Sequence, residues 1–290
     1  MNEIDFQMLI CIREEQHITK AAERLFVTPP ALIYRIRQLE KKIGVKITVK
    51  KGKQITLTPE GEYLASQANK YLLEWSKTKD YVLNMSDEVQ GTFRIGVSRV
   101  IANYKLAPIL KKFVTIYPKV KLIVDTGIST DMFQLLQTED IHLAIVRGGE
   151  NNFNWPDEKH LIKSENILLI SHKKIEMEDL PNIPRVNYKV SSPYFTEIVN
   201  QWWNERFTHP PNITMQVDNF EICKEMVRNE LGYAFIPSIF LSDNDQFYFE
   251  KLLTKNGGVL NLGTWMLYRK SSLALSMVQR FTQYIKSIDF

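Results

Sequence analysis

The stretch FVTPPALIYRIRQLEKKIGV, residues 26–45, places two prolines at the start of a segment with helical spacing of apolar residues. Thr28 suits the N-cap of a helix, because its hydroxyl can accept a hydrogen bond and a residue before proline favours an extended backbone. Pro29 and Pro30 then fall in the first turn, where no N–H has a partner within the helix. The prolines therefore begin the helix and do not break it.

The helix that begins at Pro29 has two chemically different sides. The candidates for its packed side are Ala31, Ile36, Leu39 and Ile43. The residues that can face away from the core are Ile33, Tyr34, Arg35, Arg37 and Lys41. A shorter helix precedes it, with Thr19 as candidate N-cap and one apolar side formed by Ala21, Ala22, Leu25 and Phe26. Two helices joined by a tight turn, the second bearing arginines, indicate a helix-turn-helix.

Two short β-branched segments follow, KITV at 46–49 and QITL at 54–57. The sequence KKGK at 50–53 separates them, so the pattern predicts a hairpin with a cationic tip, a wing that lies against phosphates. Residues 1–58 carry eleven basic and six acidic side chains, a net charge of +5, whereas the whole chain has +4. This distribution indicates a polyanionic partner at the N-terminal end, although lysines that only contact water would give the same count.

The sequence AAERLFVTPPALIYRIRQLEKKIGVKI at 21–47, followed by ITLTPEGEYL at 55–64, resembles the DNA-binding region of bacterial LysR-type transcriptional regulators. The positions that carry the resemblance are Ala21, Ala22, Leu25, Pro30, Ala31, Ile36, Leu39, Glu40, Gly44, Val45, Leu57, Thr58 and Gly61. The resemblance implies double-stranded DNA as a partner and a winged helix-turn-helix as the fold of this region. The candidate DNA contacts are Thr28, Pro29, Pro30, Ile33, Tyr34, Arg37, Lys50, Lys51 and Lys53.

The candidate base-reading surface departs from the family pattern. The family usually has Ser-Gln where Thr28 and Pro29 stand, often has serine at the position of Ile33, and favours Leu-Phe-x-Arg in place of residues 47–50. Because Pro29 and Ile33 offer no side-chain hydrogen bonds, we expect apolar contacts there, for example with thymine methyl groups. Tyr34 and Arg37 remain as polar readers of bases or as phosphate contacts.

A long helix is predicted from Pro59 to about Val89, because the only internal glycine or proline is Gly61 near its start. Its apolar seam follows heptad spacing with one polar position, through Leu64, Ala68, Tyr71, Trp75, Thr78, Val82 and Met85. Such a seam needs a partner. The family resemblance implies a linker helix that pairs with a second subunit and an assembly of two dimers. The alternative is that this helix packs against its own chain.

From residue 90 onward, strands and helices alternate, which predicts right-handed crossovers and a parallel sheet. Two α/β lobes of this kind resemble periplasmic-type binding proteins and the effector domain of the LysR family. The phrases that match the family in order are YPKVKLIVDTG at 117–127, LAIV at 143–146 and EMVRNELGYAFIP at 225–237. A narrower similarity to citrate-responsive catabolite-control regulators rests on VRGG at 146–149, NQWW at 200–203 and CKEM at 223–226.

These patterns predict an N-terminal winged helix-turn-helix followed by a linker helix and a two-lobed α/β effector domain. The predicted divisions are a DNA-binding domain at 1–58, a dimerisation helix at 59–89 and an effector domain at 90–290. Within the effector domain, the first lobe is predicted at 90–162 and 268–290, and the second lobe at 163–267.

The effector cleft is expected beyond the carboxyl ends of the parallel strands, near helix N-termini. The candidate effector-binding residues are Ser98, Arg99, Ser129, Arg147, Tyr194 and Thr196. Arginines and hydroxyls in this position suit a small anion, such as a carboxylate of central metabolism. The alternative is that Arg147 pairs with an internal acid and that the hydroxyls only cap helices. Leu262 or Gly263 stands where some citrate-type relatives have a further arginine, so the effector can differ from theirs.

Catalysis is the rival class of function, but the sequence offers little for it. The five histidines are scattered singly without metal-ligand spacing, and no G-x-S-x-G, P-loop or G-x-G-x-x-G motif occurs. We therefore expect neither catalytic nor metal-binding residues and no cofactor besides the effector. A two-lobed receptor or an enzyme without DNA binding remains as the alternative function.

The partners and the location follow from the same patterns. No run of 18 apolar residues and no secretory signal is present, so we expect a cytoplasmic protein that does not enter a membrane. Cys11 and Cys223 are expected to be buried free thiols. The expected partners are DNA, a small anionic effector and further copies of this chain, with RNA polymerase as an additional candidate.

Overall fold

The computed structural model describes residues 1–85, 88–189 and 193–290. The chain divides into two compact units, Met1–Met85 and Ser86–Phe290. Within the described ranges, no helix is both long enough and apolar enough to span a bilayer.

The first unit is a helical domain with a small hairpin. Its helices are α1 (Glu3–Glu15), α2 (Ile18–Arg24), α3 (Pro29–Ile43) and α4 (Pro59–Leu83). Its strands are β1 (Thr48–Lys51) and β2 (Gln54–Leu57), which pair antiparallel from Thr48 opposite Leu57 to Lys51 opposite Gln54. A shared core joins the first three helices, the hairpin and the start of α4, and it contains Met8, Leu9, Ile12, Ala21, Leu32, Ile36, Leu39, Ile47, Ile55 and Ala65.

The start of α3 agrees with the arrangement predicted from its prolines. Thr28 is the N-cap, its backbone is extended, and its hydroxyl accepts a hydrogen bond from the Ala31 N–H at 3.4 Å. Helix α2, by contrast, begins at Ile18, two residues earlier than a Thr19 cap would place its start. The Nδ1 atom of His17 accepts from the Lys20 N–H at 3.4 Å, so His17 is the cap and the prediction of Thr19 is wrong.

The packed face of α3 contains Ile36, Leu39 and Ile43 as predicted, but Leu32 takes the place predicted for Ala31. Leu32, Ile36 and Leu39 are buried, whereas Ala31 is exposed. The spacing explains this, because the residues 32, 36, 39 and 43 follow steps of four, three and four, which keeps large apolar groups on one side of a helix. Ala31 lies outside this stripe.

The linker helix α4 packs against α1 at its N-terminal part and leaves apolar residues exposed further along. Ala65 and Ala68 are buried, and the rings of Phe6 and Tyr71 stack with centroids 5.2 Å apart. The indole of Trp75 donates to Glu3 at 3.0 Å. The exposed large apolar residues are Tyr63, Tyr71, Trp75, Tyr81, Val82, Leu83 and Met85. The expected seam is thus only partly covered within this chain.

The second unit is built on a seven-stranded sheet with the order β10-β6-β11-β5-β3-β4, and β9 pairs with β6. Its strands are β3 (Gly91–Ser98), β4 (Val120–Gly127), β5 (Leu143–Gly148), β6 (Glu158–Ser171), β7 (Arg185–Tyr188), β8 (Ile213–Val217), β9 (Ala234–Pro237), β10 (Tyr248–Lys251) and β11 (Asn261–Tyr268). Its helices are α5 (Arg99–Ile101), which continues through a π-turn at Ala102–Leu106, α6 (Ala107–Ile116), α7 (Ser129–Gln137), α8 (Pro193–Asn204), α9 (Phe220–Arg228) and α10 (Ser276–Ser287).

Parallel pairing joins β3 to β4 and to β5, as the strand–helix alternation predicts. A separate two-stranded sheet pairs β7 with β8 in parallel. One lobe core contains Phe93, Ile95, Phe113, Met266 and Phe281, and the other contains Ile167, Trp203, Cys223, Tyr233 and Phe235.

The return strand belongs to both lobes. Residues Gly263–Tyr268 of β11 pair with β5 of the first lobe, whereas Leu262 packs in the core of the second lobe. The same strand pairs with β6 from Asn261 to Tyr268, so one sheet continues across the predicted boundary at 267/268. The division of the effector domain into two lobes at that residue stays a prediction.

Candidate nucleic-acid interface and effector cleft

The candidate DNA contacts on α3 and the hairpin are mostly exposed. Tyr34 is 65% exposed, Arg37 is exposed, and the wing lysines Lys50, Lys51 and Lys53 are all exposed. Thr28 and Pro30 are also exposed, while Pro29 and Ile33 are half-buried. Ile33 packs partly against the domain core, so only part of its side chain is available for a contact outside.

Some cationic side chains of this unit form ion pairs within it, and others remain available to bind DNA phosphates. The guanidinium of Arg35 donates to Asp5 at 2.9 Å and to Asn2 at 2.8 Å, and Arg24 pairs with Glu14 and Glu15. In residues 1–85, all of which are described, Arg37 and the three wing lysines make no salt bridge or side-chain hydrogen bond. Arg35, expected above to face away from the core, instead ties α3 to the start of α1.

A buried carboxylate connects α3 with the wing. Glu40 accepts hydrogen bonds from the backbone N–H groups of Ile47 at 3.1 Å and Thr48 at 3.2 Å, and from Lys46 at 2.9 Å. Burial alone would raise the pKa of Glu40, but these donors hold the pKa below its ordinary value. The charged form of Glu40 therefore fixes where the hairpin leaves the helix.

Phe26 is a candidate contact that the sequence did not reveal. Its side chain was expected on the apolar side of α2, but it is 96% exposed. The residue lies in the turn between α2 and α3 with φ of 55°, and this left-handed backbone directs the side chain away from the core. The only signal in the sequence is its position directly after Leu25, where the helical stripe ends.

A cavity of about 240 Å³ lies between the two lobes of the second unit. Ser98 ends β3, Ser129 begins α7 after β4, and Arg147 lies near the end of β5, so three adjacent parallel strands bring these side chains to one edge of the sheet. All three residues line the cavity, as does the exposed Arg99. This edge is where ligands bind in other open α/β sheets.

Arg147 is paired inside the protein. Its guanidinium donates to the carboxylate of Glu165, and both side chains are buried. Burial lowers the pKa of Arg147, and Glu165 opposes that change. The alternative that Arg147 pairs with an internal acid is therefore correct. Its Nε atom is buried and has no hydrogen-bond partner among the described residues.

Neither serine hydroxyl makes a helix-capping hydrogen bond. The hydroxyl of Ser129 accepts the backbone N–H of Arg147 at 2.9 Å, which links α7 to β5. Ser98 precedes α5 but makes no capping hydrogen bond, and its buried hydroxyl has no partner in the part of the chain that the structure describes. An unpartnered hydroxyl in a cavity wall costs free energy unless water or a ligand satisfies it.

The second lobe presents an aromatic wall to the cavity, made by Tyr188, Phe195, Phe220 and Phe240. Helix α8 turns Phe195 toward the cavity, and the predicted residues Tyr194 and Thr196 are not among its lining side chains as far as the chain is described. The Tyr194 ring instead packs so closely on Gly149 that a Cβ atom there would clash. The prediction thus found the helix and missed its rotation by one residue.

A hydrogen bond joins the lobes at the edge of the cavity. The hydroxyl of Tyr104, in the first lobe, donates to the carboxylate of Glu221 in the first turn of α9. Burial and the neighbouring Glu221 raise the pKa of Tyr104 above its ordinary value, so this phenol stays protonated. The same ring meets Phe240 edge-on with centroids 5.4 Å apart.

The described residues contain no group of three or more His, Cys, Asp or Glu side chains that could hold a metal ion. Cys11 and Cys223 are buried free thiols. Burial raises the pKa of Cys223 to about 12, which keeps it in the unreactive thiol form.

Comparison with known proteins gives the same two regions. Residues 5–62 match the bacterial regulatory helix-turn-helix protein family of lysR type, and residues 86–288 match the LysR substrate binding domain. The chain is 38% identical over 286 residues to the uncharacterized HTH-type transcriptional regulator YraN of Bacillus subtilis strain 168, covering 99% of this chain and 98% of that protein.

The solved structure of full-length CbnR complexed with its target DNA is similar with a TM-score of 0.69 at 17% identity, covering 99% of both chains. The narrower likeness to citrate-responsive regulators has weaker support. The HTH-type transcriptional regulator CitR of Bacillus subtilis is 24% identical over 243 residues, which cover 81% of this chain and 82% of that protein.

Regulators of this family are not enzymes, and they combine a DNA-binding domain with an effector-binding domain. The resemblance found in the sequence is confirmed by both regions and by a relative that spans nearly the whole chain. The chain belongs to the LysR family of DNA-binding transcriptional regulators.

Proposed function

We propose that this regulator binds specific operator sequences and that a small carboxylate in the cavity between the lobes controls its binding. The observation that carries the proposal is the cavity edge formed by Ser98, Arg99, Ser129 and Arg147 at the ends of three parallel strands. Hydroxyls and guanidinium groups suit a carboxylate, and Ser98 in particular has an unsatisfied hydroxyl. The effector class proposed here is an organic acid of central metabolism.

In this proposal α3 enters the major groove. Thr28, Tyr34 and Arg37 are exposed polar residues on the helix that can hydrogen-bond to bases or phosphates. Pro29, Pro30 and the exposed part of Ile33 supply apolar contacts, for which thymine methyl groups are the fitting partners. Lys50, Lys51 and Lys53 have no partners among the residues that the structure describes, and they contact phosphates from the wing.

The linker helix supplies the second DNA-binding domain by pairing with a copy of itself. The exposed Tyr71, Trp75, Val82 and Met85 support this, because large apolar side chains in a row on one helix need a partner. Two such dimers form a tetramer. The tetramer contacts RNA polymerase, and it acts in the cytoplasm, where the operators are.

The effector acts through its different affinity for two arrangements of the lobes. A ligand that binds both arrangements equally cannot change DNA binding. Since the cavity takes its walls from both lobes, a ligand that touches both walls favours a closed arrangement. Lobe movement then changes the spacing of the DNA-binding domains and the bend of the DNA.

The proposal is tested by footprinting the full chain on the DNA upstream of its own gene. Protection of two half-sites about one helical turn apart is expected, and Arg37→Ala should reduce affinity for that fragment. The matched control is Arg13→Ala, a half-buried arginine of α1 in the same domain and outside the proposed contacts. A footprint that neither arginine affects, or no footprint on any genomic fragment, contradicts the proposed role of α3.

A further inference from the structure

The charges on the cavity wall come in both signs, and each sign comes from a different lobe. Arg99 and Arg147 extend from the first lobe, after β3 and in β5. Asp218, between β8 and α9, and Glu221, in the first turn of α9, extend from the second lobe. A site built only for an anion would not place two carboxylates opposite its arginines, because like charges at short distance repel.

Two of these four charges already have partners. Arg147 is neutralised by Glu165. Glu221 accepts from the Tyr104 hydroxyl and lies 3.3 Å from the ammonium group of Lys224. Arg147 therefore adds little net charge for a ligand to meet. Glu221, in contrast, is held by Tyr104 and shares Lys224 with Asp245, which lies 2.8 Å from the same ammonium group.

Arg99 and Asp218 remain. Both are exposed, both line the cavity, and neither makes a hydrogen bond or salt bridge with another described residue. The first lobe thus contributes one available cation to the cavity wall, and the second lobe contributes one available carboxylate. Burial raises the pKa of Tyr188, Asp218 raises it further and Arg99 opposes this, so both charges lie within electrostatic reach of one phenol in the wall.

Beside these charges and the amide of Asn219, which accepts from the Glu221 N–H at 2.8 Å, the second-lobe wall is mainly aromatic and apolar. Phe220 stacks on Tyr188 with centroids 3.8 Å apart and meets Phe195 edge-on at 5.0 Å. Phe240 and Leu262 complete this side of the cavity. Aromatic faces accept an apolar chain and also attract an ammonium group.

We infer that the effector is a zwitterion, an α-amino acid with an apolar side chain, and not a di- or tricarboxylate. Its carboxylate lies against Arg99 and the free hydroxyl of Ser98, its ammonium group meets Asp218, and its side chain packs on the aromatic wall. Such a ligand joins the two lobes through opposite charges, which gives it the differential affinity that control requires. This inference rests on the proposed function and specifies the carboxylate that it invokes.

The test is isothermal titration calorimetry of the full chain with matched compounds. The panel contains the twenty common L-amino acids, citrate, succinate and 2-oxoglutarate. It also contains the deamino and decarboxylated counterparts of leucine and phenylalanine, namely 4-methylpentanoate, 3-phenylpropanoate, 3-methylbutylamine and 2-phenylethylamine. An apolar amino acid should bind most tightly, and removal of either its ammonium or its carboxylate group should weaken binding at least tenfold.

Variants identify the group that recognises the ammonium. Asp218→Asn should weaken binding of the amino acid about tenfold and leave binding of its deamino counterpart unchanged. Asp243→Asn is the matched control, since Asp243 is an exposed aspartate of the same lobe outside the cavity, and it should leave both affinities unchanged. Equal losses in the two variants would contradict a contact at Asp218.

Other outcomes separate the inference from the proposed function. If citrate or another polycarboxylate binds most tightly, and Asp218→Asn strengthens its binding, the zwitterion is wrong while control by a carboxylate stands. If an amine without a carboxylate binds as tightly as the amino acid, both ligand assignments are wrong. If no compound in the panel binds a chain that still shifts its operator DNA, control by a small carboxylate of either class is overturned.

Discussion

The guanidinium of Arg147 in β5 reaches across the intervening strand β11 to the carboxylate of Glu165 in β6. Both side chains are more than nine-tenths buried, so neither charge can be solvated by water alone if its partner is lost. Arg147 therefore lines the cavity and also belongs to a buried ion pair that supports the cavity wall. Any ligand experiment on Arg147 must separate these two roles.

Arg147→Leu should destabilise the second unit by about 3–5 kcal/mol, because it leaves the Glu165 carboxylate buried and unpaired. The double variant Arg147→Leu/Glu165→Leu should recover most of that loss, since no unpaired charge remains. Urea denaturation of the full chain, followed by the fluorescence of the tryptophans in this unit, measures both.

The control for this comparison is Lys163→Leu. Lys163 lies in the same strand as Glu165 and pairs with Asp289 at the surface, where solvent screens the ion pair and its loss should change the stability little. A single Arg147 variant as stable as this control would show that the buried pair contributes nothing to the fold.

Glu40 predicts a pH dependence in the DNA-binding domain. Its pKa in the folded state lies below the unfolded value of about 4.5, so its contribution to stability is present above that pH and is lost as the pH falls through the folded pKa. Glu40→Gln should cost about 1–3 kcal/mol at pH 7. The difference between the variant and the native chain should shrink below about pH 4.5.

Hydrogen exchange of the Ile47 and Thr48 amides, which donate to Glu40, reports this change locally. Protection should fall in Glu40→Gln at pH 7 and should resemble that of the native chain at low pH. Glu23→Gln, a change at an exposed glutamate of the same unit, serves as the comparison and should alter neither amide. A loss of protection that is constant with pH would mean that the carboxylate charge is not the cause.

The sequence was most informative where local backbone chemistry decides the structure. The start of α3 follows from Thr28 and the two prolines, because a cap and a fixed φ act within a few residues. The exposed wing lysines also follow locally, from a short hairpin with glycine at its tip.

Contacts between distant residues were beyond sequence reasoning. Nothing local indicates that Arg35 pairs with Asp5 or that Arg147 pairs with Glu165, since the partners are brought together by the tertiary fold. The Arg147 partner also lies on a strand that is not its neighbour in the sheet.

The rotation of α8 was available in the sequence and was missed. The buried residues of this helix, at 195, 199, 202 and 203, follow the spacing of one helical face. That stripe passes through Phe195 and turns Tyr194 and Thr196 to either side of it. The spacing of this apolar stripe indicates that Phe195 points inward, whereas the polar residues near the helix start do not.

The wing lysines should contribute to the salt dependence of DNA binding. Replacing Lys50, Lys51 and Lys53 by alanine should reduce the slope of log affinity against log salt by about 2–3 units, because each phosphate contact releases counterions. Fluorescence anisotropy with the operator at several salt concentrations gives the slope. A slope equal to that of the native chain would remove the wing from the set of phosphate contacts.

A triple alanine variant at Lys111, Lys112 and Lys121 removes the same charge from exposed positions in the second unit. It should leave the slope unchanged. If both triple variants reduce the slope equally, the effect arises from net charge and not from contacts made by the wing.

The exposed seam of α4 predicts that a charge at Val82 disrupts the oligomer. Val82 is 58% exposed, and a glutamate is tolerated there by an isolated chain, whereas it is costly inside an apolar interface between two copies of the helix. Val82→Glu should shift the chain toward the monomer in sedimentation velocity at micromolar concentration. Its operator affinity should fall because the two half-sites are then bound independently.

Asn69→Glu adds the same charge at an exposed position of α4 off the seam and should change neither property. An oligomer that Val82→Glu leaves intact would mean that the linker helix does not hold the copies together.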